Sequence, residues 1–468
     1  MPETPVVEKE APADSSVIDH DVVIVGAGFA GVTAAKRLGR AGVDVLLLDQ
    51  NNYHQFQPLL YQAATAQIAI STVARPLRAI LHGQRQHVAI RTAQVTSVDS
   101  AAKTVTTDDG LSYRGRILVI AAGAEPNFFD TPGVREFAYP LYSVDDATSL
   151  SSAMLGALER ASATWDARNR QGKFAVVVVG AGPNGVETVG AVAENMRYVV
   201  AEYYSQEFVD AACEVHLVDM VDTVLPPFSE QSQQYTRRRL EELGVRIHLG
   251  SAVSSVTDAG VTLDDGSELP ASIVIWVAGL QASSLLGSSG LTTGRGGRVD
   301  VDTDLTAPDA PGVYVLGDAA NIVDAKGRTL PQLGSVAKQS GTWAADNIVA
   351  DLTGQERRPF RFVDMGYMAM IGRGQSVAEL TPRRIQVQGP PAFLAWLGVH
   401  LVLLSGWAQR ASALVSWFRD YFTRRRPEVV VHQPDRYARE RRRGPSANRR
   451  DATARTPQHR TSGDGDDR

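Results

Sequence analysis

The chain has 468 residues, 44% of them hydrophobic and 21% charged, with a formal net charge of −5; the length argues for about three domains with large cores, and the charge against a generic nucleic-acid binder. The single cysteine, Cys213, excludes a disulfide framework, a thiolate zinc site, an iron–sulfur cluster and a dithiol shuttle, and no metal site is expected. No uninterrupted apolar run reaches the ~18 residues of a membrane span, and the acidic, Pro/Glu/Ala-rich start lacks a secretory apolar core, which keeps the globular part in the cytoplasm.

In chain order, residues 1–19 read as a disordered lead-in. Residues 21–25 form a short apolar strand that feeds into Gly26-Ala-Gly-Phe-Ala-Gly31. The spacing of Val32, Ala35 and Leu38 predicts a helix over 31–41, and a strand over 43–48 then ends in Asp49. The same pattern recurs later. A strand over 175–179 enters Gly180-Ala-Gly-Pro-Asn-Gly185, a longer helix follows over 185–204, and the strand Glu214-Val-His-Leu-Val-Asp219 again ends in an acid. Val105-Thr-Thr-Asp-Asp-Gly110 is echoed by Val261-Thr-Leu-Asp-Asp-Gly266, and the strand ending at Gly123 by the strand ending at Gly279. The Asp-Asp-Gly pairs sit between alternating stretches, as hairpin turns do. Each copy is therefore a βαβ unit with an antiparallel insert and a closing strand.

The expected fold class is α/β, with two Rossmann-type dinucleotide-binding domains and a C-terminal α+β region. One domain spans 20–140 and resumes over 281–354, with Gly317-Asp318 at the end of a returning strand and a helix over 335–350. The other, inserted, domain spans 141–280. The C-terminal region covers 355–437, with strands over 366–379 and apolar helices over 393–407 and 414–422. A polar, basic tail over 438–468 reads as disordered.

The glycines have assignable tasks. Gly26 and Gly180 make the tight turn, Gly28 and Gly182 let the backbone reach a pyrophosphate, and Gly31 and Gly185 let helix pack on strand. The helix N-terminus supplies free N–H groups for the phosphates. Asp49 and Asp219 can each accept a ribose 2′-hydroxyl, and an acid there repels a 2′-phosphate, which favours NADH over NADPH. Two such motifs in matching context suggest one bound flavin and one exchanging nicotinamide. Asp318 suits the ribityl–pyrophosphate part of FAD, so the first site is assigned to FAD and the second to NADH; Gly123, Gly279 and Gly317 are counted with these cofactor sites.

These segments, together with Gln57-Pro-Leu-Leu-Tyr-Gln62, Gly180-Ala-Gly-Pro-Asn-Gly-Val-Glu187, Val224-Leu-Pro-Pro227, Gly317-Asp-Ala319 and Arg361-Phe-Val-Asp-Met-Gly366, give a chain that over roughly 21–437 resembles the type II NADH dehydrogenases. These are the non-proton-pumping NADH:quinone oxidoreductases of the two-dinucleotide-binding flavoprotein superfamily. The resemblance implies hydride transfer from NADH to flavin N5, then delivery of two electrons to a membrane quinone. It also implies that Glu187 lies near the two rings, where a carboxylate can orient the nicotinamide or handle a proton; an acid in a helix's first turn also simply favours the dipole. One departure stands out. Gly334-Ser335 occupies the place of the family's Ala-Gln pair, while Gln339 matches its second Gln; Gln332, Ser335 and Gln339 are the quinone-facing candidates. The missing amide leaves open a soluble diaphorase or ferredoxin-reductase-like enzyme, or a redox-responsive flavoprotein like apoptosis-inducing factor. Cys213 is expected to be a small hydrophobe.

Leu414, Trp417, Phe418, Tyr421 and Phe422 fall on one helical stripe. The apolar helix before it spans only ~22 Å against a ~30 Å hydrocarbon core. From Arg424 onward the chain carries 13 Arg against 7 acidic residues. The expectation is a peripheral, monotopic enzyme on the anionic cytoplasmic face of the cell membrane, with a homodimer interface or packing on the body as the competing use of these helices. The purified chain is expected to be yellow, and NADH to bleach it faster than NADPH in a stopped-flow assay; faster bleaching by NADPH would contradict the reading of Asp219.

Overall fold

The computed structural model describes residues 17–165, 172–381 and 385–423. Most of the expected lead-in and the whole Arg-rich tail lie outside these residues.

The first sheet is built around the strand Ile18–Val25. It pairs in parallel with Val45–Asp49 on one side and Ser112–Ile120 on the other, and Val88–Thr92 adds beyond Val45–Asp49. The strand begins three residues before the apolar run, because Asp19 and Asp21 are held by Arg114 and Arg116 of the neighbouring strand. Thr104–Thr107 pairs antiparallel with the start of Ser112–Ile120. The turn between them is the Asp108-Asp109-Gly110 hairpin expected from the sequence.

The second sheet repeats the plan with Ala138–Pro140, Ile273–Trp276, Phe174–Val179, Cys213–Asp219 and Val245–Leu249, all parallel. Its antiparallel insert is the three-stranded Val253–Thr257, Gly260–Leu263 and Glu268–Pro270, with Asp264-Asp265-Gly266 at the turn. The chain then returns to the first sheet. Val313–Val315 pairs in parallel with Leu118–Ile120, so that the last strand of the first domain arrives only after the second is complete. The central parallel strands of both sheets, buried on both faces, explain the unbroken Val/Ile/Leu runs.

Two helices close the first domain. Phe29–Arg40 and Gly334–Thr353 pack so tightly that a Cβ on Gly341 would stand 2.3 Å from the Ala30 carbonyl oxygen. Arg37 and Asp346 pair across their far ends. The helix after the second glycine loop runs Pro183–Glu194 and continues through a wider π-type turn over Asn195–Val200 to Ala201–Tyr203.

The C-terminal region has strands Tyr367–Gly372, Gln375–Leu380 and Ile385–Gln388, then helices Pro390–Leu403 and Trp407–Thr423. Trp407, expected at the end of the first helix, opens the second, because Leu404 is extended and Gly406 has a left-handed φ of +92°. Both helices, the segment 56–64 and the second domain share one hydrophobic core; the first domain has its own.

Gly341→Leu is expected to cost about 1–3 kcal/mol through overpacking against backbone that cannot yield, read as a lower thermal midpoint, whereas Gly42→Ala, with open space at its Cβ position, carries only the backbone penalty of its positive φ.

Candidate functional site

The two glycine loops have the same geometry. Gly26 and Gly180 have φ of +97° and +114°, a region closed to most L-residues. A Cβ on Gly31 or Gly185 would lie 1.9 or 1.7 Å from the carbonyl oxygen of Gly26 or Gly180. By contrast, a Cβ on Gly28 or Gly182 would meet nothing within 4 Å. These two positions face open space at a helix N-terminus whose N–H groups have no side-chain cap, which is what an approaching phosphate requires.

The strand-end acids also match. Asp49 accepts from the backbone N–H of Ala27 at 2.6 Å and of Asn51 at 2.7 Å. Asp219 accepts from Ala181 and from Val221. Each carboxylate thus ties its own glycine loop to the following strand end, and keeps lone pairs for a further donor. Burial raises the Asp49 pKa, and the Asn51 and Ala27 N–H groups oppose the rise.

From the first loop a cleft of about 710 Å³ runs past Asp49, Gly123 and Tyr142 to Gly317 and Asp318. The volume lies in the range of cofactor sites. Burial lifts Asp318 to about 6, with Arg298 opposing. Tyr142 is pushed up to about 12, by burial first and then by Asp318; its hydroxyl accepts from Ala124 N–H at 3.2 Å. Open space at Gly28 and a carboxylate at the far end of the same cleft fit an FAD lying along it. Gly279 holds the matching place in the second domain, with Phe129 against its Cα and the Asn127 N–H on its carbonyl.

Glu187 projects from the second glycine-loop helix toward the C-terminal region. Its Oε1 accepts from the Met370 backbone N–H at 3.1 Å and the Trp396 indole at 3.0 Å. Part of the side chain remains accessible, yet enough protein surrounds it that burial pushes its pKa up to about 8, the two donors offsetting only part of the rise. Both donors use one oxygen, which leaves Oε2 as the place for a proton. The Tyr61 hydroxyl donates to Met370 sulfur, Gln62 donates to the Tyr61 oxygen, and the Trp417 indole donates to Gln62. The segment 57–62 therefore sits between the glycine-loop helix and both C-terminal helices.

An aromatic column runs from the cleft to the same helices. Phe29 meets His54 and Phe56 edge-on, Phe56 meets His400, and His400 stacks on Trp396 at 3.8 Å. Burial drives His400 down to about 4, against the Trp396 carbonyl that its Nδ1 meets, and it lowers His54 as well. Neither histidine was singled out as a site residue from the sequence; a lone His inside an apolar helix gave no signal, and only the packing brings His54 and His400 to opposite sides of Phe29 and Phe56.

The three quinone-facing candidates separate. Gln339 exchanges two hydrogen bonds with the Val363 backbone, donating to its oxygen at 3.0 Å and accepting from its N–H at 2.9 Å. Gln332 donates to the Asp318 carbonyl. Ser335 lies in the first turn of the helix Gly334–Thr353, where neighbouring Gly334 lines the cleft beside Phe29. Both amides are thus engaged with backbone. Cys213 is partly buried, and burial raises its thiol to about 12, so it is no thiolate nucleophile.

The apolar stripe of the last helix divides, contrary to the single-face expectation. Trp417 turns inward to Gln62, while Leu414, Phe418 and Phe422 are exposed. The preceding helix divides likewise, with Trp396 and His400 inside and Leu394 and Val402 outside. Among the described residues, no helix is long and apolar enough to cross a membrane.

Residues 20–341 match the pyridine nucleotide-disulphide oxidoreductase family. The chain is 35% identical over 436 residues to the type II NADH:quinone oxidoreductase Ndh of Mycobacterium tuberculosis, covering 90% of this chain and 92% of that protein. It is 28% identical to the type II NADH:quinone oxidoreductase of Staphylococcus saprophyticus, covering 78% and 90%. Among solved structures, NDH2 from Plasmodium falciparum in complex with NADH superposes with a TM-score of 0.79 at 18% identity, covering 87% of this chain and 99% of that one, which establishes the shared fold.

The raised pKa of Glu187 has a definite sign in stability. The folded state holds the proton more tightly than the unfolded chain, so the contribution is complete below about 4.5 and is lost as pH rises through about 8. His400 acts oppositely: its contribution is complete above 6.5 and is lost as pH falls through about 4. Thermal melts across pH are expected to show Glu187→Gln flattening the decline between about 4.5 and 8 and leaving the loss on acidification through about 4; an unchanged slope between about 4.5 and 8 would place the Glu187 titration elsewhere.

Proposed function

This chain belongs to the type II NADH:quinone oxidoreductases, and on that premise we propose how its own residues divide the reaction. It is an FAD-dependent NADH dehydrogenase that passes two electrons to a quinone without pumping protons. The net reaction, NADH + H⁺ + quinone → NAD⁺ + quinol, takes up one proton. Bound FAD supplies the two-electron carrier between the two substrates.

In our reading, Gly26, Gly28 and Gly31 cradle the FAD pyrophosphate and Asp49 takes its ribose, while Gly123, Gly317 and Asp318 hold the remainder of the cofactor along the cleft. Gly180, Gly182, Gly185 and Asp219 do the same for NADH, with Gly279 alongside. The observation that carries this is the duplicated cradle: the same open position, the same close approach and the same acid-to-loop bond, twice in one chain. The division into a split first domain, 20–140 with 281–354, and an inserted second, 141–280, belongs to the same proposal; it is supported by the late return of Val313–Val315 to the first sheet.

Glu187 would enter the cycle as a neutral acid at pH 7 and hold a proton at Oε2, within reach of both the second cradle and the C-terminal region. The Gln339 amide is satisfied at both ends by backbone and the Gln332 amide donates to backbone, which favours a positioning role for them. The quinone head would then come against Ser335 and the Phe29–Phe56 wall, where Gly334 leaves room that a side chain would fill.

Type II enzymes are peripheral membrane proteins. For this chain we propose that the outward faces of the two C-terminal helices rest in the interface of the cytoplasmic leaflet. Phe418 and Val402, 66% and 71% exposed, are two of several large apolar side chains on these helices that are costly to leave in water. A homodimer through the same face is the competing occupant.

Because the inward faces of these helices hold Trp396, His400 and Trp417 in the core, the clean test is substitution rather than truncation. Phe418→Ser with Phe422→Ser is expected to leave NADH oxidation with a water-soluble quinone within about twofold. Turnover with a long-chain quinone in vesicles should fall at least about tenfold, since two buried aromatic contacts are lost. Equal losses with both acceptors would refute the docking role; a change of oligomeric state on size-exclusion would favour the dimer.

A further inference from the structure

One surface of the first domain takes no part in the steps above. The helices Phe29–Arg40 and Gly334–Thr353 start together, with Phe29 against Gly334, and end together, with Arg37 on Asp346. They therefore run side by side in one direction. Lys36 lies on the turns of the first helix that follow Phe29, and Lys338 lies one turn beyond Gly334. Arg75 stands in register with His54 on the paired strand, and His54 meets Phe29. The Arg75 guanidinium also reaches the link between the two C-terminal helices, 2.9 Å from where a Cβ on Gly406 would stand. With Arg40 at the end of its helix, four cations converge on one seam. Burial, followed by Arg40, Arg75 and Lys338, holds the Lys36 pKa down. Among the described residues, none of the four has an acidic partner within ion-pair distance. Like charges gathered without acids repel and favour an incoming anion.

Apolar side chains border this seam on two sides. Trp407, 82% exposed, follows Gly406 directly. On the other side Val363, 64% exposed, is tied by both hydrogen bonds of Gln339, the residue next to Lys338, and Met365 beside it is exposed as well. A soluble anion would need only the charges. Cations flanked by a tryptophan and two aliphatic side chains match a bilayer surface, where phosphates lie at the level of the charges and acyl chains just below.

We propose that the seam of Lys36, Arg40, Arg75 and Lys338 is a binding site for the phosphates of anionic membrane lipids, with Trp407 and the segment carrying Val363 and Met365 entering the acyl boundary on either side. The first domain then docks beside the C-terminal helices and holds the cleft end of the helix Gly334–Thr353 toward the bilayer. This rests on the membrane-docking reading above and extends it to a part of the chain outside those helices.

The test is co-sedimentation of the FAD-loaded enzyme with vesicles of phosphatidylcholine alone and of phosphatidylcholine with phosphatidylglycerol. Lys36→Glu with Lys338→Glu is expected to weaken binding to the anionic vesicles at least about tenfold. It should also reduce the salt dependence of that binding, and leave binding to neutral vesicles and turnover with a water-soluble quinone unchanged. Lys36→Gln with Lys338→Gln should fall between the reversal and the parent. If the parent binds vesicles and both variants bind as it does, with the same salt dependence, the seam is not a lipid site while the docking reading survives. If the parent binds neither vesicle, the docking reading fails and this inference fails with it.

Discussion

The arrangement turns on one largely enclosed carboxyl. Glu187 sits on the helix of the second glycine loop, yet both of its hydrogen-bond donors, the Met370 N–H and the Trp396 indole, belong to the C-terminal region. A buried polar group stays put only when it is satisfied, so this contact fixes the nucleotide-side helix against the region that faces away from it. The burial that makes the contact necessary is also what raises the pKa to about 8. The structural tie and the raised pKa thus have one physical cause. Gly190 on the same helix carries the association further: a Cβ there would stand 1.9 Å from the Ile371 carbonyl oxygen, so the helix can approach the strand Tyr367–Gly372 only as glycine.

The strand-end acids show a second economy. An acid at this place is usually discussed through the ribose it meets. In both copies it is first of all a brace, closing onto the alanine between the first two glycines and onto the residue two positions after itself. A loop that must present bare N–H groups to a phosphate cannot be steadied by side-chain caps over those same groups. The brace therefore comes from the adjacent strand, and it leaves the loop N–H groups uncovered. Substituting either acid would loosen the loop as well as remove a hydroxyl acceptor, and the two effects would not separate by affinity alone.

Much of this was legible in the sequence, and the limits have a physical pattern. Features with a local cause were read correctly: the glycine loops, the Asp-Asp-Gly hairpins, and the strands ending in Asp49 and Asp219. Each depends on a few adjacent residues whose backbone demands are strong. Features set by side chains meeting non-neighbouring parts of the chain were not legible. Gln339 and Val363 are 24 residues apart, Trp417 and Gln62 are 355 apart, and no spacing rule connects either pair. The stripe on the last helix was a correct helix with an incomplete assignment of its faces, since periodicity marks an apolar arc but cannot say where along it the protein ends and the surroundings begin. The segment 57–62 was recognisable as a motif, but its place between the cleft and the C-terminal helices required the packing of Tyr61 and Gln62.

The two C-terminal helices consequently serve on both of their faces at once. Inward, Trp396 and His400 continue the aromatic column that starts at Phe29, and Trp417 reaches Gln62. Outward, Leu394, Val402, Phe418 and Phe422 remain without protein neighbours to cover them. A force on the outer face has no slack through which to dissipate, because the inner face is packed in the same core as the Glu187 helix and tightly packed interiors transmit displacement rather than absorb it. Whatever covers the outer face therefore acts on the same body that positions Glu187 and the Phe29 end of the cleft. On the proposed docking, an apolar-tailed acceptor arriving from that side would meet a surface already registered to the Glu187 helix, which a pair of flexibly tethered helices would not provide.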